Sequence, residues 1–405
     1  MSFPLFSAFG VEIEYMIVDA KSLNVSPTTD RLLGAVAGEI VSEIELGDIA
    51  WSNELALHVL ELKTNGPATD LTRLPQLFSE QVQRANTELA AWDARLMPTA
   101  MHPWMDPHRE LQLWPHEYNA VYEAYNRIFN CQGHGWANLQ SVHLNLPFQG
   151  DLEFARLHAA IRLLLPLLPA LAASSPFADG RNAGMLDYRL QVYRGNSRII
   201  PSLTGEVIPE PVYSHAEYES QIFQRLYRDI APHDPDGILQ QPFLNSRGAI
   251  ARFDRGAIEI RVVDAQECPT ADLAIVAFEV ATLQALVNEQ WTGWDEQSQI
   301  DTAQLSSMLF DVARDGEQTV IANADYLRQW GIAEKRCSAQ ELCQHLVREL
   351  RLDETVWAGP LKVLTTQGPL ARRLLKAVGD DVPNGLFPVY AELCDCLAAN
   401  RQFGV

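Results

Sequence analysis

The sequence predicts an α+β fold, in which a mainly antiparallel sheet packs against helices and a helical portion follows at the C-terminal end. Residues 9–18 and 257–263 alternate between apolar and polar side chains, as half-buried strands do. Residues 70–97 and 273–287 instead repeat apolar side chains every three or four positions, which is typical of helices. No repeat or convincing linker divides the chain. We therefore expect one domain over 1–405, with a core of about 5–290 and a helical C-terminal portion of about 291–405.

The composition is that of a globular protein that does not bind nucleic acid. Hydrophobic residues make up 47% of the 405 residues and charged residues 20%, which leaves enough apolar side chains for a large core. The formal net charge is -21. Binding a polyanion requires basic surface, so DNA and RNA are excluded as expected partners. A small anionic substrate is still compatible with this net charge if cationic groups are concentrated at its binding site.

The sequence carries no readable signal for export or membrane insertion. The first basic residue is Lys21, and the most apolar stretch, Leu163 to Ala173, is about half the length that spans a bilayer. The six cysteines form no CxxC pair, which favours reduced structural thiols. We expect a cytoplasmic protein without a membrane partner.

The first strand presents two acids on one face. Phe9, Val11, Ile13, Tyr15 and Ile17 would point to the core, and Gly10, Glu12, Glu14 and Met16 to the other side. Glu12 and Glu14 would then hold their carboxylates within roughly 7 Å of each other. Like charges at that distance raise each other's pKa unless a cation lies between them, and Mg²⁺ is the natural choice for carboxylates. The alternative is a solvent-facing strand with two ordinary glutamates.

The next segments contain a helix and a region rich in aromatic and turn residues. Asp70 or Thr72 could cap the helix predicted over 70–97. A second helical pattern runs through 121–129. The surrounding residues look like loops around a site, and their tryptophans either line a pocket or pack in the core: Trp104, Trp114 and Trp136.

Two further candidates come from residues 53–63 and 142–146. Glu61 follows an apolar run, so its carboxylate should lie in the interior, where an unpaired charge is costly. Glu54 has the opposite parity, so a bulge must intervene or Glu54 must lie in a preceding loop. His143 shares a strand face with Asn145 and is either a ligand or a satisfied, partly buried histidine.

The last candidate pair lies on the strand predicted over 257–263. Glu259 and Arg261 share a face there, an arrangement that in isolation is most often a structural ion pair. A helix capped by Thr270 should follow this strand. Residues 174–250, which are rich in Pro, Gly, Asn and Ser, predict short strands joined by loops. No Walker A loop, GxSxG or HExxH motif occurs.

Taken in order, these segments resemble the site segments of glutamate-cysteine ligases and related bacterial carboxylate-amine ligases. The resemblance covers about residues 5–285, and its specificity lies in the ordered set rather than in any one segment. The matching segments are Gly10-Val11-Glu12-Ile13-Glu14-Tyr15, Glu54 to Glu61, Val142-His143-Leu144-Asn145, Ser174-Ser175-Pro176-Phe177 running on to Arg189, and Ile258-Glu259-Ile260-Arg261 with Asp264.

The resemblance implies a glutamine-synthetase-like fold, in which a curved, mainly antiparallel sheet forms a catalytic funnel with helices packed outside. It implies ATP and two or three Mg²⁺ ions as cofactors, with Mn²⁺ as an alternative. Arg261 would face the ATP phosphates, and Arg189 would meet the transferred phosphoryl group or the acceptor carboxylate. One ion would be held by Glu12, Glu54 and Glu61 and a second by Glu14, His143 and Glu259, while Glu12 and Glu259 could also reach a third.

The activity that the resemblance implies joins the γ-carboxylate of glutamate to an amino acid or amine through an acyl phosphate. Many carboxylate-amine ligases carry a second histidine and a glycine where this chain has Asn145 and Pro147, which is closer to true glutamate-cysteine ligases. The amine pocket cannot be matched residue by residue. Two alternatives stay open, a catalytically silent ligand-binding relative and a guanidino kinase-like phosphotransferase. The partners are small molecules, and the oligomeric state is open, with a homodimer as one option.

Overall fold

An antiparallel sheet forms the centre of the structure, a computed structural model that describes residues 3–405. Its eight strands are β1 Gly10–Asp19, β2 Glu43–Leu46, β3 Ile49–Asn53, β4 Val59–Thr64, β5 Ala94–Met97, β6 Ser141–Pro147, β9 Ala249–Arg252 and β10 Ala257–Asp264. They run in the order β2-β3-β4-β1-β6-β10-β9, and β5 pairs with the second half of β1. Two short pairs lie outside it, β7 Phe177–Ala178 with β8 Arg181–Asn182 and β11 Val320–Ile321 with β12 Cys337–Ser338.

Helices pack around this sheet, so the predicted α+β class with an antiparallel sheet is confirmed. The first group of helices is α1 Thr29–Ala37, α2 Leu74–Ala90, α3 Pro107–Glu110, α4 Asn119–Phe129, α5 His134–Ala137, α6 Gly150–Leu164, α7 Pro169–Ala172, α8 Tyr188–Gly195, α9 His215–Tyr218 and α10 Gln224–Ile230. The second group is α11 Pro269–Val287, α12 Trp294–Gln297, α13 Thr302–Asp315, α14 Ala324–Arg328, α15 Ala339–Glu349, α16 Ala358–Gln367, α17 Leu370–Val378 and α18 Val382–Ala398.

The alternation predicted for the first strand is confirmed. Val11, Ile13, Tyr15 and Ile17 are fully buried on the core face, where the Tyr15 hydroxyl lies 3.3 Å from Asp272 of α11. The opposite face carries Glu12 and Glu14, followed further along the strand by Met16 and Val18. Met16 and Val18 are also fully buried, because α17 and α18 cover that end of the sheet. The acid-bearing face is therefore not a free surface along its whole length.

Two sequence predictions about the elements were wrong. The helix predicted over 70–97 ends at Ala90, because Asp93 adopts a left-handed φ of 53° and Ala94–Met97 then pairs with β1 as strand β5. Residues 174–250 contain mainly short helices instead of the predicted short strands. The many Pro, Gly and Asn residues there indicate frequent breaks, but they do not indicate which element lies between the breaks.

One helix, Pro269–Val287, is long and apolar enough to cross a membrane by length and composition alone. In the structure, 83% of that apolar window is buried inside the protein, packed against α2 and α6. Its hydrophobicity is thus explained by its central position in the core.

Candidate active site

Pairing between strands brings the predicted acids together on one sheet face. Glu14 on β1 lies directly opposite Glu61 on β4, and Glu12 lies opposite His143 on β6. Glu259 on β10 follows in the next strand, opposite Asn145. Carboxylates placed directly opposite each other destabilise a sheet unless a cation or hydrogen-bond donors compensate their charge.

Glu54 joins this group from a loop. It follows the last residue of β3, so residues 53–63 form the end of one strand, a turn and a second strand. This arrangement resolves the parity conflict between Glu54 and Glu61, because the two residues lie on different elements. The Glu54 carboxylate accepts a hydrogen bond from the backbone N–H of Leu55 at 3.3 Å.

The ligand atoms form two groups that share one residue. In each group the nitrogen or oxygen atoms lie within 4.8 Å of one another, and the groups are Glu12, Glu61 and His143, and Glu14, Glu54 and Glu61. This grouping differs from the sets implied by the resemblance, which paired Glu54 with Glu12 and His143 with Glu14. The difference follows from the register, which places Glu14 opposite Glu61 and His143 opposite Glu12.

The charges in the two groups perturb one another strongly. Burial together with the charges of Glu61 and Glu14 raises the pKa of Glu54 well above its usual value, and burial together with Glu12 raises the pKa of Glu61 to about 7. Burial alone would also raise the pKa of Glu12, but the hydrogen bond from His143 and the charge of His143 lower it to about 2. Burial alone would lower the pKa of His143, yet the neighbouring carboxylates raise it to about 9.

Hydrogen bonds fix the orientation of several of these carboxylates. Ser141 donates from its backbone N–H at 2.6 Å and its hydroxyl at 3.0 Å to Glu14 Oε2. Asn145 Nδ2 donates to Glu12 Oε1 at 3.0 Å, and Ser52 Oγ donates to Glu61 Oε1 at 2.7 Å. The other Glu12 oxygen, Oε2, lies 3.1 Å from His143 Nδ1, so both oxygens of Glu12 have a partner.

The two predicted arginines lie beside the acids, each held by a carboxylate. Arg261 forms an ion pair with Glu259, its neighbour on the same face of β10. Arg189, on α8, is buried and donates through Nε to Asp264 at 2.5 Å. Asp264 also accepts hydrogen bonds from the backbone of Ser174 and the hydroxyl of Ser175.

Lys63 is a component of the site that sequence reasoning missed. Its Nζ lies 3.4 Å from Glu61 Oε1 and 2.7 Å from Glu43 Oε2. The signal was present in the sequence, since Lys63 is two residues after Glu61 and therefore on the same strand face. Its positive charge offsets part of the repulsion between the acids.

A cavity of about 470 Å³ opens on one side of the acids. Glu14, Glu54 and His143 lie in its wall, as do both Arg189 and Arg261. Much of the remaining wall is aromatic and comes from α4 and the residue before it, from α5 and α8, and from the segment before β9: Tyr118, Tyr122, Tyr125, Trp136, Tyr193 and Phe243. Of the three tryptophans considered in the sequence, Trp136 alone is in this wall, and Trp114 is buried in the core.

A second cavity, of about 490 Å³, opens on the other side of the acids. Glu12, Asn145 and Lys63 line it, together with Arg255 from the turn before β10. Since Glu12 faces one cavity while Glu14 and Glu54 face the other, the carboxylate groups lie between the two openings.

The donor set fits Mg²⁺ or Mn²⁺. Carboxylate oxygens predominate, a single imidazole is included, and no cysteine is present in either group. The raised pKa of Glu54 and Glu61 comes from burial and from neighbouring carboxylates, a cost that a divalent cation would remove.

Comparison with known proteins identifies the family of this chain. The family model described as glutamate-cysteine ligase family 2 matches residues 8–383. The chain belongs to glutamate-cysteine ligase family 2. The match extends beyond residue 285, where the sequence resemblance ended, and includes most of the C-terminal helices.

Two curated relatives and one solved structure are similar to this chain. An uncharacterised protein of Archaeoglobus fulgidus is 36% identical over 280 residues, covering 69% of this chain and 75% of the relative. A candidate glutamate-cysteine ligase 2-3 of Rubrobacter xylanophilus is 26% identical over 286 residues and 66% of each chain. The crystal structure of a bifunctional glutathione synthetase from Pasteurella multocida has a similar fold, with a TM-score of 0.59 at 18% identity. That likeness covers 98% of this chain but 53% of the synthetase, so the chain spans about half of that enzyme's length.

Proposed function

We propose that this protein is an ATP- and Mg²⁺-dependent carboxylate-amine ligase that joins the γ-carboxylate of glutamate to an amine. The observation that carries the proposal is the convergence of five glutamates and one histidine beside two cavities, with Glu54 in a loop and the others on one sheet face: Glu12, Glu14, Glu54, Glu61, Glu259 and His143. Membership of glutamate-cysteine ligase family 2 supports the reaction class.

The metal would be held by the two groups that share Glu61, with Glu259 beside His143 at 3.9 Å. Bound there, divalent cations supply neutralisation of the charge on the phosphoryl oxygens. Ser141, Asn145 and Ser52 hold the carboxylates in position, so little reorganisation is needed when the substrates bind.

The two cavities suggest separate places for the nucleotide and the amine. We place the triphosphate in the second cavity, where Lys63 and Arg255 are cationic partners for its oxygens. The aromatic cavity then remains for the amine. Arg261 and Arg189 line that aromatic cavity next to the acids, where Arg261 can face the γ-phosphate and Arg189 the phosphoryl group in transfer.

The proposed reaction has two steps. First, a carboxylate oxygen of glutamate attacks the γ-phosphorus of ATP, the bond to the β,γ-bridging oxygen breaks, and ADP leaves. The ammonium group of the second substrate releases one proton to water, and its nitrogen lone pair attacks the acyl carbon. The acyl C–O bond breaks, a second amine proton passes to phosphate, and an amide remains. No covalent enzyme intermediate is required, in agreement with the absence of a GxSxG nucleophile motif in the sequence.

The test is glutamate-dependent ADP formation by the purified protein with ATP and Mg²⁺, measured on the unchanged protein and on two variants. Glu12→Ala should abolish ADP formation while the protein stays folded by circular dichroism. Glu45→Ala removes an exposed glutamate from β2 of the same sheet and should leave ADP formation unchanged. Full turnover by Glu12→Ala would refute the proposal. ADP formation with glutamate that no amine couples to an amide would indicate phosphotransfer instead.

A further inference from the structure

Lys63 connects the groups of ligand atoms to the second cavity. Its Nζ lies 3.4 Å from Oε1 of Glu61, the residue that belongs to both groups, and 2.7 Å from Oε2 of Glu43. Lys63 and Glu43 both line the second cavity, whereas Glu61 is buried and belongs to the wall of neither cavity. The ammonium group therefore lies between a buried candidate metal ligand and the cavity in which we place the triphosphate.

The ion pair of Lys63 differs from those of the two arginines at the site. Arg189 pairs with Asp264 and Arg261 pairs with Glu259, and these two acids belong to neither group of ligand atoms. Among the side chains that the structure describes, over residues 3–405, Lys63 is the one lysine or arginine that pairs with a carboxylate of either group. Lys63 therefore competes with a bound cation for the same carboxylate.

The ammonium group of Lys63 has a place to go when a divalent ion takes Glu61. Two cations on one carboxylate repel each other, and the repulsion is stronger in a buried site than in water. The ammonium group can move, because it is a compact charge with three N–H donors on a flexible four-carbon chain. Glu43 provides the alternative partner, since it lies on the edge strand β2 with its side chain 50% exposed. Lys63 can thus leave Glu61 and still line the second cavity.

We propose that Lys63 couples metal binding to nucleotide binding. Without a divalent ion, Lys63 neutralises Glu61. With the ion in place, Lys63 is released from Glu61 and directs its N–H donors to the phosphate oxygens in the second cavity. Metal and nucleotide then strengthen each other's binding by the same factor, as linkage requires. This role of Lys63 rests on the proposed function, which supplies the metal and the nucleotide, and it adds a regulation of that site.

Calorimetric titration of the nucleotide-free protein with MnCl₂ tests the competition for Glu61. Lys63→Met removes the competing cation and should raise the Mn²⁺ affinity by about tenfold, whereas Lys63→Arg keeps the charge and should not raise it. Lys21→Met is the matched control, because Lys21 forms an exposed pair with Asp93 at 3.5 Å. Unchanged or weaker Mn²⁺ binding by Lys63→Met that is folded by circular dichroism would overturn the proposal.

Glu43→Gln tests whether Glu43 acts through Lys63. Without Glu43 the ammonium group has Glu61 as its remaining partner, so the metal should bind about threefold more weakly. In the Lys63→Met background the same substitution should have no effect on Mn²⁺ affinity. An equal effect of Glu43→Gln in both backgrounds would show that Glu43 acts as a distant charge alone, and it would contradict the transfer of Lys63 between the two carboxylates.

A fluorescent ADP analogue, titrated once with Mg²⁺ and once with EDTA, measures the coupling itself. Mg²⁺ should raise the affinity for the analogue, and the factor should be at least about fivefold smaller in Lys63→Met than in the unchanged protein or Lys21→Met. Binding of Mg²⁺ to the analogue in solution is the same for every variant and cancels. A lysine that contacts phosphate with or without the metal would lower both affinities equally, so an unchanged factor would overturn the proposal.

These titrations require no turnover, so their outcomes separate the role of Lys63 from the ligase function. If Mn²⁺ and the ADP analogue bind as expected but no amide forms with any amine, the ligase function is refuted and the coupling stands. If amide forms but Lys63→Met leaves Mn²⁺ affinity and the coupling factor unchanged, the ligase function stands and the role of Lys63 is refuted. Absence of Mn²⁺ binding to the unchanged protein would refute both.

Discussion

Glu61 occupies the position at which the two groups of ligand atoms meet. Its carboxylate belongs to both groups, accepts a hydrogen bond from Ser52 and lies near Lys63. The sequence alone predicted that Glu61 is buried, because it follows an apolar run. It could not predict that Glu14 lies opposite, since the partner of a strand is fixed by pairing between distant segments. By contrast, the alternation of side chains along a strand is enough to predict that Lys63 lies on the same face as Glu61.

The first prediction concerns this shared ligand. We expect Glu61→Gln to weaken Mn²⁺ binding and to lower ADP formation by at least about 100-fold, because both groups lose an anionic oxygen. Isothermal titration with MnCl₂ and an ADP assay would measure the two effects. Glu45→Gln, an exposed residue on β2, is the matched control. Unaltered Mn²⁺ affinity in Glu61→Gln would show that Glu61 is a structural residue.

A second residue-scale prediction concerns Glu279, which is buried in α11 with neither carboxylate oxygen hydrogen-bonded. Burial raises its pKa from 4.5 to about 8. Because the folded-state pKa exceeds the unfolded one, its contribution to stability is complete below pH 4.5 and is lost as the pH rises to about 8. Glu279→Gln should therefore match the unchanged protein near pH 5 and exceed it by about 2 to 4 kcal/mol near pH 8.

Urea unfolding at the two pH values would measure this difference. His58 and His158 are buried with the pKa lowered to about 3 by burial, so they destabilise the fold at acid pH in both proteins alike and cancel in the comparison. A difference that does not change between pH 5 and pH 8 would contradict the assignment to Glu279.

Strand β10 shows at the scale of an element how the fold directs functional side chains. Its pairing with β6 shifts register between Ile260 and Val263, so Arg261 lies at a β-bulge. The alternating pattern predicted the strand and the shared face of Glu259 and Arg261. It did not predict the bulge, nor that the Arg261 carbonyl would lie 3.3 to 3.4 Å from Arg189, because both depend on the partner strand and on α8.

The third prediction follows from the end of this strand. Asp264→Asn should lower the free energy of unfolding by about 3 kcal/mol, because it leaves the buried Arg189 guanidinium without its carboxylate. Adding Arg189→Met should restore much of that stability without restoring ADP formation. Denaturant unfolding and the ADP assay on the single and double variants would test this. Recovery of activity in the double variant would exclude a functional role for Arg189.

At the scale of the whole molecule, the C-terminal helices determine how far the polar face of the sheet extends. Met16, Val18 and Met97 are buried under Leu374, Tyr390 and other residues of α17 and α18. The sequence predicted that this portion is helical, but not where it packs, because its apolar faces are compatible with many partners. Because these helices cover the end of β1 that carries Met16 and Val18, the acidic face is confined to the part of the sheet around Glu12 and Glu14.

The fourth prediction tests how these helices are attached. Arg373 on α17 is buried and donates to Glu267 at 2.6 Å and to the Phe403 carbonyl at 2.7 Å, which joins α17 to the turn before α11 and to the C-terminal end. We expect Arg373→Met to cost about 3 kcal/mol of unfolding free energy, with kcat unchanged at temperatures where the protein is folded.

The control is Arg401→Met, which removes an exposed pair with Glu392 at 3.8 Å and should cost less than about 1 kcal/mol. Thermal unfolding would rank the two variants. Equal stabilities would show that the buried pair does not secure the helices, and a fall in kcat for folded Arg373→Met would show that they influence the site.

The position of the acids between two openings has a consequence for the order of events during turnover. If nucleotide and amine approach from opposite sides, neither substrate obstructs the entrance of the other, and each product can leave by the route its precursor used. Steady-state kinetics should then show random addition rather than a compulsory order. ADP would compete with ATP but not with the amine, and an unreactive amine analogue would compete with the amine but not with ATP.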